Sequence, residues 1–274
     1  RLITHKHSNM ILIFGGTTEG RIAIQTLEEA EKFYYSTKGD EQDVLLHNGI
    51  RLQGAMDAIE IETFCAQHHI KLLIDAAHPF ATQLHETLEQ VSVESNIPVI
   101  RFERIFPKRD EEHITWCRDY DDAIEKIQKE KIFILLALTG VQTIGKLKPL
   151  WQNACCYFRI LDRDSSRKLA REQGFSEKNL YYYTPGEDEQ VLMKQFIEAI
   201  LLKESGISGG FCEKVEAARQ LGIRIFAICR PKTSDKFICV NGEHGLRRII
   251  EKHLPDFFPL RSGLTTGTCA PLPP

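Results

Sequence analysis

Long apolar runs and an excess of one charge are both missing from this sequence of 274 residues. No run approaches the roughly 20 apolar residues that a membrane-spanning helix needs. The formal net charge is −3 and the pI is about 6.4, so the bulk charge does not favour binding to nucleic acid or to a membrane surface. We therefore expect the partner to be a small molecule, with no nucleic acid and no membrane.

Cysteine pairs and metal-binding motifs are also missing. The eight cysteines include no Cys-x-x-Cys spacing, none of them clusters with histidine in a ligand-like pattern, and no His-Glu-x-x-His occurs. Such motifs would indicate a metal or redox site. We predict reduced thiols, most of them in the core, in a cytoplasmic protein without a bound metal.

What the sequence does contain is a regular alternation of short apolar runs with amphipathic segments. In the first half, apolar runs at residues 10–14, 33–37, 71–77 and 98–102 alternate with helical patterns at 21–31, 59–69 and 79–95. In the second half, apolar runs at 132–138, 155–161, 181–183, 201–203 and 223–229 alternate with helical patterns at 164–173, 188–200, 213–221 and 245–253. This order is typical of a parallel sheet covered by helices on both faces. We predict an α/β fold of two Rossmann-like domains with parallel sheets and a cleft between them.

The charged stretch at residues 104–115, which contains Pro107, interrupts this alternation. We place a domain boundary there and predict a dinucleotide-binding α/β domain at residues 10–104 and a second α/β domain at residues 105–255. Residues 1–9 have no helix or strand pattern and no apolar signal core, so we interpret them as an extension or tag before a native start at Met10. Residues 256–274 form a tail.

In open α/β sheets ligands bind at the carboxyl ends of the strands, so the loop after each strand is a candidate site. The first such loop, Gly15 to Gly20, runs from a strand into a helix with the sequence GGTTEG. Glycines let a ligand approach the backbone closely, and free N–H groups at a helix start favour a phosphate. The spacing is neither G-x-G-x-x-G nor a P-loop, so a plain tight turn remains the alternative.

The second loop, Ser36 to Asp40, follows the second strand, where dinucleotide folds contact the adenosine ribose. An acid there favours NAD, and a base accommodates the 2′-phosphate of NADP. Lys38 and Asp40 have opposite charges, so the sequence leaves the choice between NADH and NADPH open.

The third loop follows the apolar run at residues 71–77 and continues as His78-Pro79-Phe80. Proline suits the first turn of a helix and keeps the preceding residue extended, so we predict His78 as an N-cap and Pro79 as the first helical residue. The N–H groups that follow would then point toward a ligand, and the His78 imidazole could donate to a cofactor or a substrate carboxylate. The alternative is that His78 only caps and packs. Other scattered histidines, such as His85, are predicted to be solvated.

Two loops of the second half carry cations. Residues 203–214 combine three glycines, two serines and two lysines between a strand and a helix, a composition typical of an anion-receiving loop. Arg230, in Cys-Arg-Pro at the end of a predicted strand, suits a carboxylate or a phosphate. A surface arginine before a turn is the alternative.

Together, these motifs resemble the precorrin-6A reductase family of corrin ring synthesis, which includes a form that acts on cobalt-precorrin-6A. The segments that carry the resemblance are, in order, ILIFGGTTEGR, IDAAHPFA, KESGISGGFCEKVEAARQLGI and ICRP, and it spans about residues 10–255. The resemblance implies hydride transfer from NADPH or NADH to the macrocycle, which converts (cobalt-)precorrin-6A into (cobalt-)precorrin-6B.

The resemblance also implies roles for individual residues. Cofactor contacts are expected from Gly15, Gly16, Thr17, Thr18, Glu19, Ser36, Thr37, Lys38, Asp75, Ala77, His78, Pro79 and Phe80. Substrate contacts are expected from Lys203, Ser205, Gly206, Gly210, Lys214 and Arg230. His78 and Lys203 are the expected catalytic residues, with His78 polarising or protonating the ring, while the lysines and Arg230 hold substrate carboxylates.

The tail carries a second resemblance. Residues 260–270, LRSGLTTGTCA, are similar to the opening of the cobalt-precorrin-5B C1-methyltransferase family, so we expect a remnant of such a methyltransferase, or fusion to or association with one. The alternatives for the whole chain are another NAD(P)-dependent oxidoreductase and a non-catalytic nucleotide-binding module. A short-chain type oxidoreductase would need a Tyr-x-x-x-Lys pair on one helix face, and no predicted helix carries that pair.

Overall fold

A computed structural model describes residues 9–30, 32–39 and 44–259. The chain divides into two compact units: unit 1 comprises Arg1–Glu103 and Thr233–Pro274, and unit 2 comprises Arg104–Lys232. The first crossing lies close to the predicted boundary. The second corrects the prediction that residues 105–255 form one domain, because the strand and helix after residue 232 complete the sheet and core of unit 1.

The chain passes through unit 1, then through unit 2, and then returns to unit 1. Unit 1 begins with β1 (Met10–Phe14), α1 (Thr18–Leu27), β2 (Phe33–Thr37), β3 (Gly49–Gln53), α2 (Ala58–Gln67), β4 (Ile70–Asp75), α3 (Thr82–Ser95) and β5 (Val99–Phe102). Unit 2 contains β6 (Ile114–Cys117), α4 (Tyr120–Lys129), β7 (Ile134–Ala137), α5 (Lys148–Asn153), β8 (Cys155–Leu161), α6 (Asp164–Glu172), β9 (Leu180–Tyr183), α7 (Gln190–Met193), β10 (Ala199–Lys203), α8 (Phe211–Gln220) and β11 (Arg224–Ile228). Unit 1 then resumes with β12 (Ile238–Val240) and α9 (Gly242–His253).

Each unit contains one six-stranded sheet, and the strand pairs in both sheets are parallel. The strand orders are β12-β5-β4-β1-β2-β3 and β6-β11-β10-β7-β8-β9. The predicted α/β class with two parallel sheets is therefore confirmed. Read from β3 in unit 1 and from β9 in unit 2, the first five strands of the two sheets follow the same order along the chain. The sequences of the two units nevertheless show no clear repeat. The two sheets differ only at the far edge, where unit 1 uses its last strand and unit 2 its first.

Helices cover both faces of the sheet in unit 1. Alternate side chains of β1 point to opposite faces and therefore lie in two separate cores. Ile11 and Ile13 lie in one core with Leu246 of α9. Leu12 lies in the other with Leu88 of α3. A strand that is buried on both sides reads as a continuous apolar run, which is why the sequence predicted β1 correctly.

Several elements differ from the prediction. β3, β6, α4, α5 and β12 were not predicted, and the helix predicted at residues 188–200 is reduced to α7. The shortening has a clear cause, since Ala199 and Ile200 already pair with β7 and β11 as the start of β10. The start of α4 could have been predicted from the sequence, because Asp119 is a typical N-cap residue. In the structure its side chain accepts the N–H of Asp122 at 2.8 Å.

We predict that Leu246→Ala destabilises unit 1, including β1, although the whole of unit 2 separates Leu246 from β1 in the sequence. The side chain is 0% exposed, and truncating a buried leucine costs about 2–5 kcal/mol. Hydrogen exchange followed by mass spectrometry should accelerate in β1 and β5 and stay unchanged in β10. The matched control Leu202→Ala, in the core of unit 2, should give the opposite pattern. Faster exchange of β10 in Leu246→Ala would contradict this division of the chain.

Candidate functional site

Both sheets have a point at which the strand order reverses. In unit 1 the chain moves outward from β1 to β2 and β3 on one side and from β4 to β5 on the other, so β1 and β4 flank the reversal. β7 and β10 occupy the same position in unit 2. Open α/β sheets bind ligands at the carboxyl ends of such strands, so the loops after these four strands are the candidate sites.

The loop after β1 is tied to the loop after β4 by Thr17. Its hydroxyl accepts the N–H of Gly20 at 3.0 Å, which caps α1, and donates to the carbonyl of Ala76 at 2.6 Å. Gly16, the exposed residue before it, has φ +91°, a conformation that glycine adopts without steric cost. The start of α1 therefore lies beside the end of β4.

The glycines of the first loop make room for Tyr35, a buried residue of β2 that sequence reasoning missed. A Cβ on Gly15 would lie 2.3 Å from the Tyr35 ring, and one on Gly20 would lie 3.2 Å from the Tyr35 hydroxyl oxygen. That hydroxyl accepts the N–H of Gly16 at 2.9 Å. Burial raises the pKa of Tyr35, although the hydrogen bond from Gly16 and two nearby arginines partly offset this. Gly15 and Gly20 thus serve packing, and the N–H of Gly16 is already engaged.

At the end of β2 the structure adds a cation that sequence reasoning also missed. Arg51 of β3 donates to the Thr37 hydroxyl at 3.1 Å and to a carbonyl of the same loop at 3.4 Å. Ser36 and Thr37 are buried and Lys38 is exposed, while Asp40 lies outside the described residues. Two cations, Arg51 and Lys38, therefore accompany this loop.

Asp75, the last residue of β4, is 0% exposed and uses both carboxylate oxygens within the protein. Oδ1 accepts from the Ala77 N–H at 3.1 Å and from Arg101 Nη1 at 2.9 Å, and Oδ2 lies 2.5 Å from His85 Nδ1. Burial alone would raise the pKa of Asp75, but the hydrogen bond from His85 and the charge of Arg101 outweigh it, so the pKa lies below its ordinary value. An anion this enclosed organises the loop, and its burial argues against the expected direct contact with a cofactor.

The segment after β4 forms a turn, not the predicted helix start. The Ala81 N–H donates to the His78 carbonyl at 2.9 Å, and α3 begins only at Thr82. The Phe80 N–H donates to Nδ1 of His78 at 3.1 Å. The prediction that His78 caps a helix starting at Pro79 is therefore wrong. The N–H groups of Phe80 and Ala81, which were expected to point toward a ligand, are engaged inside the turn.

His85 is not the solvated histidine that the sequence suggested. Its ring lies between Asp75 and the turn, with Nε2 3.2 Å from the His78 carbonyl and 3.2 Å from the Pro79 carbonyl. Sequence reasoning could not find this contact, because it depends on the chain turning back before α3 instead of entering a helix at Pro79.

In unit 2 the loop after β10 is held by Arg104, the first residue of the unit. Arg104 Nη1 donates to the Ser205 carbonyl at 2.7 Å. Gly206 has φ +80°, and a Cβ there would lie 3.0 Å from the Ile105 carbonyl oxygen. Ser205 and Gly206, both expected to contact substrate, are buried and fix the shape of the loop.

The two lysines of this loop differ in their surroundings. Burial, and then the positive charges of Lys146, Arg104 and Lys214, lower the pKa of Lys203 to about 8. Lys214 folds back so that Nζ donates to the carbonyls of two loop glycines, at 3.2 Å each. Burial also lowers the pKa of Lys214. Lys203 is thus a cation whose charge changes close to neutral pH.

Glu204, which the sequence did not single out, is 2% exposed and holds two arginines. Its carboxylate accepts two hydrogen bonds from Arg230, one from Nη1 at 2.6 Å and one from the backbone N–H at 2.9 Å. It accepts two more from Arg109, from Nε at 3.1 Å and from Nη2 at 2.8 Å. The Arg230 guanidinium also lies 3.8 Å from the centre of the Phe106 ring. Both arginines and Glu204 line a depression of about 890 Å³. Arg230 is therefore part of a fixed cluster and not a lone surface arginine.

The structure divides the predicted site residues between the two units. Those of unit 1 are exposed at Gly16, Thr18 and Lys38, half-buried at Gly15, Thr17, His78 and Phe80, and buried at Glu19, Ser36, Thr37, Asp75, Ala77 and Pro79. Those of unit 2 are half-buried at Lys203, Gly210, Lys214 and Arg230 and buried at Ser205 and Gly206. The accessible positions are therefore the start of α1, the end of β2, the His78 turn and the cations after β10 and β11.

The cysteines partly follow the prediction. The seven that the structure describes are free thiols, of which Cys65, Cys117 and Cys156 are buried as expected, whereas Cys155, Cys212 and Cys239 are exposed. Over the ranges that the structure describes, no helix is both long and apolar enough to span a bilayer.

A family model and several curated relatives point to one family. The family model described as "Precorrin-6x reductase CbiJ/CobK" matches residues 10–245. The chain is 29% identical over 234 residues to the cobalt-precorrin-6A reductase of Priestia megaterium, covering 81% of this chain and 91% of that protein. It is 28% identical over 228 residues to the precorrin-6A reductase of Rhodococcus erythropolis, covering 81% and 89%.

A solved structure, "CobK precorrin-6A reductase", matches with a TM-score of 0.72 at 18% sequence identity. The match covers 89% of this chain and 97% of that one. At this identity the likeness is one of fold.

We predict that Gly15→Ala destabilises the protein. The new methyl group would overlap the Tyr35 ring, and forcing extra volume into a packed site costs about 1–3 kcal/mol. The matched control is Gly245→Ala in α9, where a Cβ would lie 3.8 Å from Val240 Cβ and alanine improves helix propensity by up to about 1 kcal/mol. Urea unfolding should separate the two variants. A Gly15→Ala protein as stable as the wild type would show that Tyr35 does not fill this space.

Proposed function

The chain belongs to the precorrin-6x reductase family CbiJ/CobK and is an oxidoreductase; on this premise we propose that it reduces (cobalt-)precorrin-6A to (cobalt-)precorrin-6B in cobalamin biosynthesis, with NADPH or NADH as the hydride donor. The observation that carries the proposal is the family match over residues 10–245, which includes the loops at both sheet reversals. The relatives named cobalt-precorrin-6A reductase support the cobalt-containing substrate.

We assign the nicotinamide cofactor to unit 1. The exposed start of α1 at Thr18 offers the positive end of a helix dipole to a pyrophosphate, and a Cβ on Gly16 would meet nothing within 4 Å, so the backbone is open to close approach. At the end of β2, Lys38 and Arg51 favour the 2′-phosphate of NADPH over the bare ribose of NADH. A cofactor bound there would supply the hydride, and the protein supplies orientation and electrostatics.

The hydrogen bonding of His78 supports a role in polarising the substrate. Because Nδ1 accepts the Phe80 N–H, a neutral ring carries its proton on Nε2. Such a ring donates a hydrogen bond well but is a poor source of a proton near neutral pH. We therefore assign His78 to polarisation of the macrocycle rather than to its protonation.

Lys203 is better suited to deliver the proton that accompanies the hydride. A general acid works best when its pKa lies near the working pH, and the pKa of Lys203 is about 8. The nearby charges of Lys146 and Lys214 would attract the carboxylates of the substrate. Arg230, held by Glu204, presents a pre-oriented guanidinium to a further carboxylate.

Two further expectations stay proposals. Fusion to, or association with, a cobalt-precorrin-5B C1-methyltransferase rests on residues 260–270, which lie outside the described residues and beyond the family match. A cytoplasmic location rests on the free thiols. The extension or tag expected at residues 1–9 also lies almost wholly outside the described residues.

The proposed reaction is tested by incubating the protein with the oxidised macrocycle and a nicotinamide cofactor that carries deuterium at the transferable position. We expect cofactor and macrocycle to be consumed in equal amounts and deuterium to enter the macrocycle, as measured by mass spectrometry. NADPH should be preferred, and Arg51→Leu should raise KM for NADPH more than for NADH. Cofactor binding without consumption would instead favour the non-catalytic nucleotide-binding module.

We predict that Lys203→Arg separates positive charge from proton donation. Arginine stays charged but does not release its proton in proteins. KM for the macrocycle should change little, whereas kcat should fall by about 10²-fold or more, the usual contribution of a general acid. Lys203→Met, which lacks the charge, should raise KM as well.

The pH dependence has a definite sign. Lys203 is charged below its pKa of about 8 and neutral above it, so kcat/KM of the wild type should fall as the pH rises through about 8. The residual activity of Lys203→Arg should not show this fall. An arginine variant with wild-type kcat would leave Lys203 with a binding role alone.

A further inference from the structure

His85 makes contacts that join three segments of the unit 1 site. It lies in the first turns of α3, and its side chain is 19% exposed. Nδ1 lies 2.5 Å from Asp75 Oδ2, and Nε2 lies 3.2 Å from the His78 carbonyl oxygen and 3.2 Å from that of Pro79. One ring therefore connects the end of β4, the His78 turn and α3.

The groups that these two ring nitrogens contact are all hydrogen-bond acceptors. Asp75 is ionised, because Arg101 and the Ala77 N–H also bind it, and an ionised carboxylate only accepts. Backbone carbonyls also only accept. Each ring nitrogen of His85 can therefore satisfy its partner only by carrying a hydrogen, which requires the doubly protonated ring.

The surrounding charges are balanced for a cationic ring. Arg101, which is 2% exposed, shares the Asp75 carboxylate with His85. On its other side, Arg101 Nη2 lies 3.5 Å from Glu103 Oε1. With a doubly protonated His85, two cations accompany two carboxylates, and an ionic group paired in this way avoids the cost of an uncompensated buried charge.

The His78 turn depends on this contact because the N-cap residue of α3, Ala81, makes no side-chain hydrogen bond. The nearest polar side chain in the turn is the His78 ring, which accepts from Phe80. The His78 carbonyl also accepts the Ala81 N–H, and His85 Nε2 adds a side-chain contact from α3 to the carbonyls of both His78 and Pro79.

We propose that a doubly protonated His85 is a positioning residue of the reductase. It fixes the carbonyls of His78 and Pro79 and thereby holds the His78 imidazole in the orientation that polarises the substrate. The part that concerns turnover rests on the proposed function, whereas the protonation of the ring and the geometry of the turn do not.

The hydrogen-bonding part is tested on the full chain labelled with 15N in its histidine rings. At the pH of the activity assay, NMR should show protons on both ring nitrogens of His85, and a proton on only one ring nitrogen of His78. Exchange of the Ala81 amide should accelerate in His85→Phe. A His85 ring with one unprotonated nitrogen would overturn the proposal, and this can be observed whether or not the protein turns over.

The functional part compares two substitutions. His85→Phe keeps an aromatic ring and removes both donors, whereas His85→Gln keeps one donor and remains usable if the phenylalanine variant does not fold. We expect kcat to fall by about 10-fold or more in His85→Phe, because small misplacements of a reacting group are costly, and by less in His85→Gln. KM for the cofactor should change little. In the control His113→Phe, a histidine 2.9 Å from Asp110 in unit 2 is removed, and kcat should not change.

A double variant separates positioning from general destabilisation. Because His85 acts through His78, adding His85→Phe to His78→Ala should lower kcat little further, as expected for two residues that act as one unit. If the fold-losses in kcat of the two single variants multiply in the double variant, the positioning role is overturned. If the wild type fails to reduce the macrocycle, the proposed function is wrong, and the NMR and exchange results still decide the protonation and the turn.

Discussion

The folded state of each unit depends on a buried carboxylate at the end of a central strand. An ionised carboxylate is costly to remove from water unless cations and N–H groups surround it. Asp75, at the end of β4, is compensated by Arg101 of the neighbouring β5. Glu204, directly after β10, is compensated by Arg230, which follows the neighbouring β11. Since β4 and β10 occupy the same place in the two strand orders, both units meet the same electrostatic constraint in the same way.

The two carboxylates use their cations differently. Around Asp75, Arg101 Nη1 donates to the Ala77 carbonyl, and His85 Nε2 lies 3.2 Å from the carbonyl oxygens of His78 and Pro79, so these two side chains fix a turn. Around Glu204, the side chains of Arg109 and Arg230 stay 41% and 36% exposed. The first arrangement suits a rigid wall beside a cofactor, and the second suits the recognition of anionic groups on a substrate.

Sequence patterns predicted the strands that are buried on both faces, and they missed three of the four edge strands, β3, β6 and β12. β1 and β4 read as continuous apolar runs, whereas β3 is largely half-exposed and β12 has three residues at an edge. The same limit applies to the site. The glycine loop and the His78 motif are local in sequence, but Tyr35, Arg51 and Arg101 reach them from neighbouring strands. Contacts of that kind depend on strand order, which no local pattern specifies.

The return of the chain to unit 1 after residue 232 also bears on its synthesis by the ribosome. Every residue of unit 2 is translated before β12 and α9 exist, so the unit that comes second in the gene product can complete its fold first. Until then, one apolar face of the first sheet lacks Leu246, Ile250 and Leu254. Nascent chains with such exposed surface are prone to aggregate, which makes this interval of translation the point at which a chaperone would protect the chain.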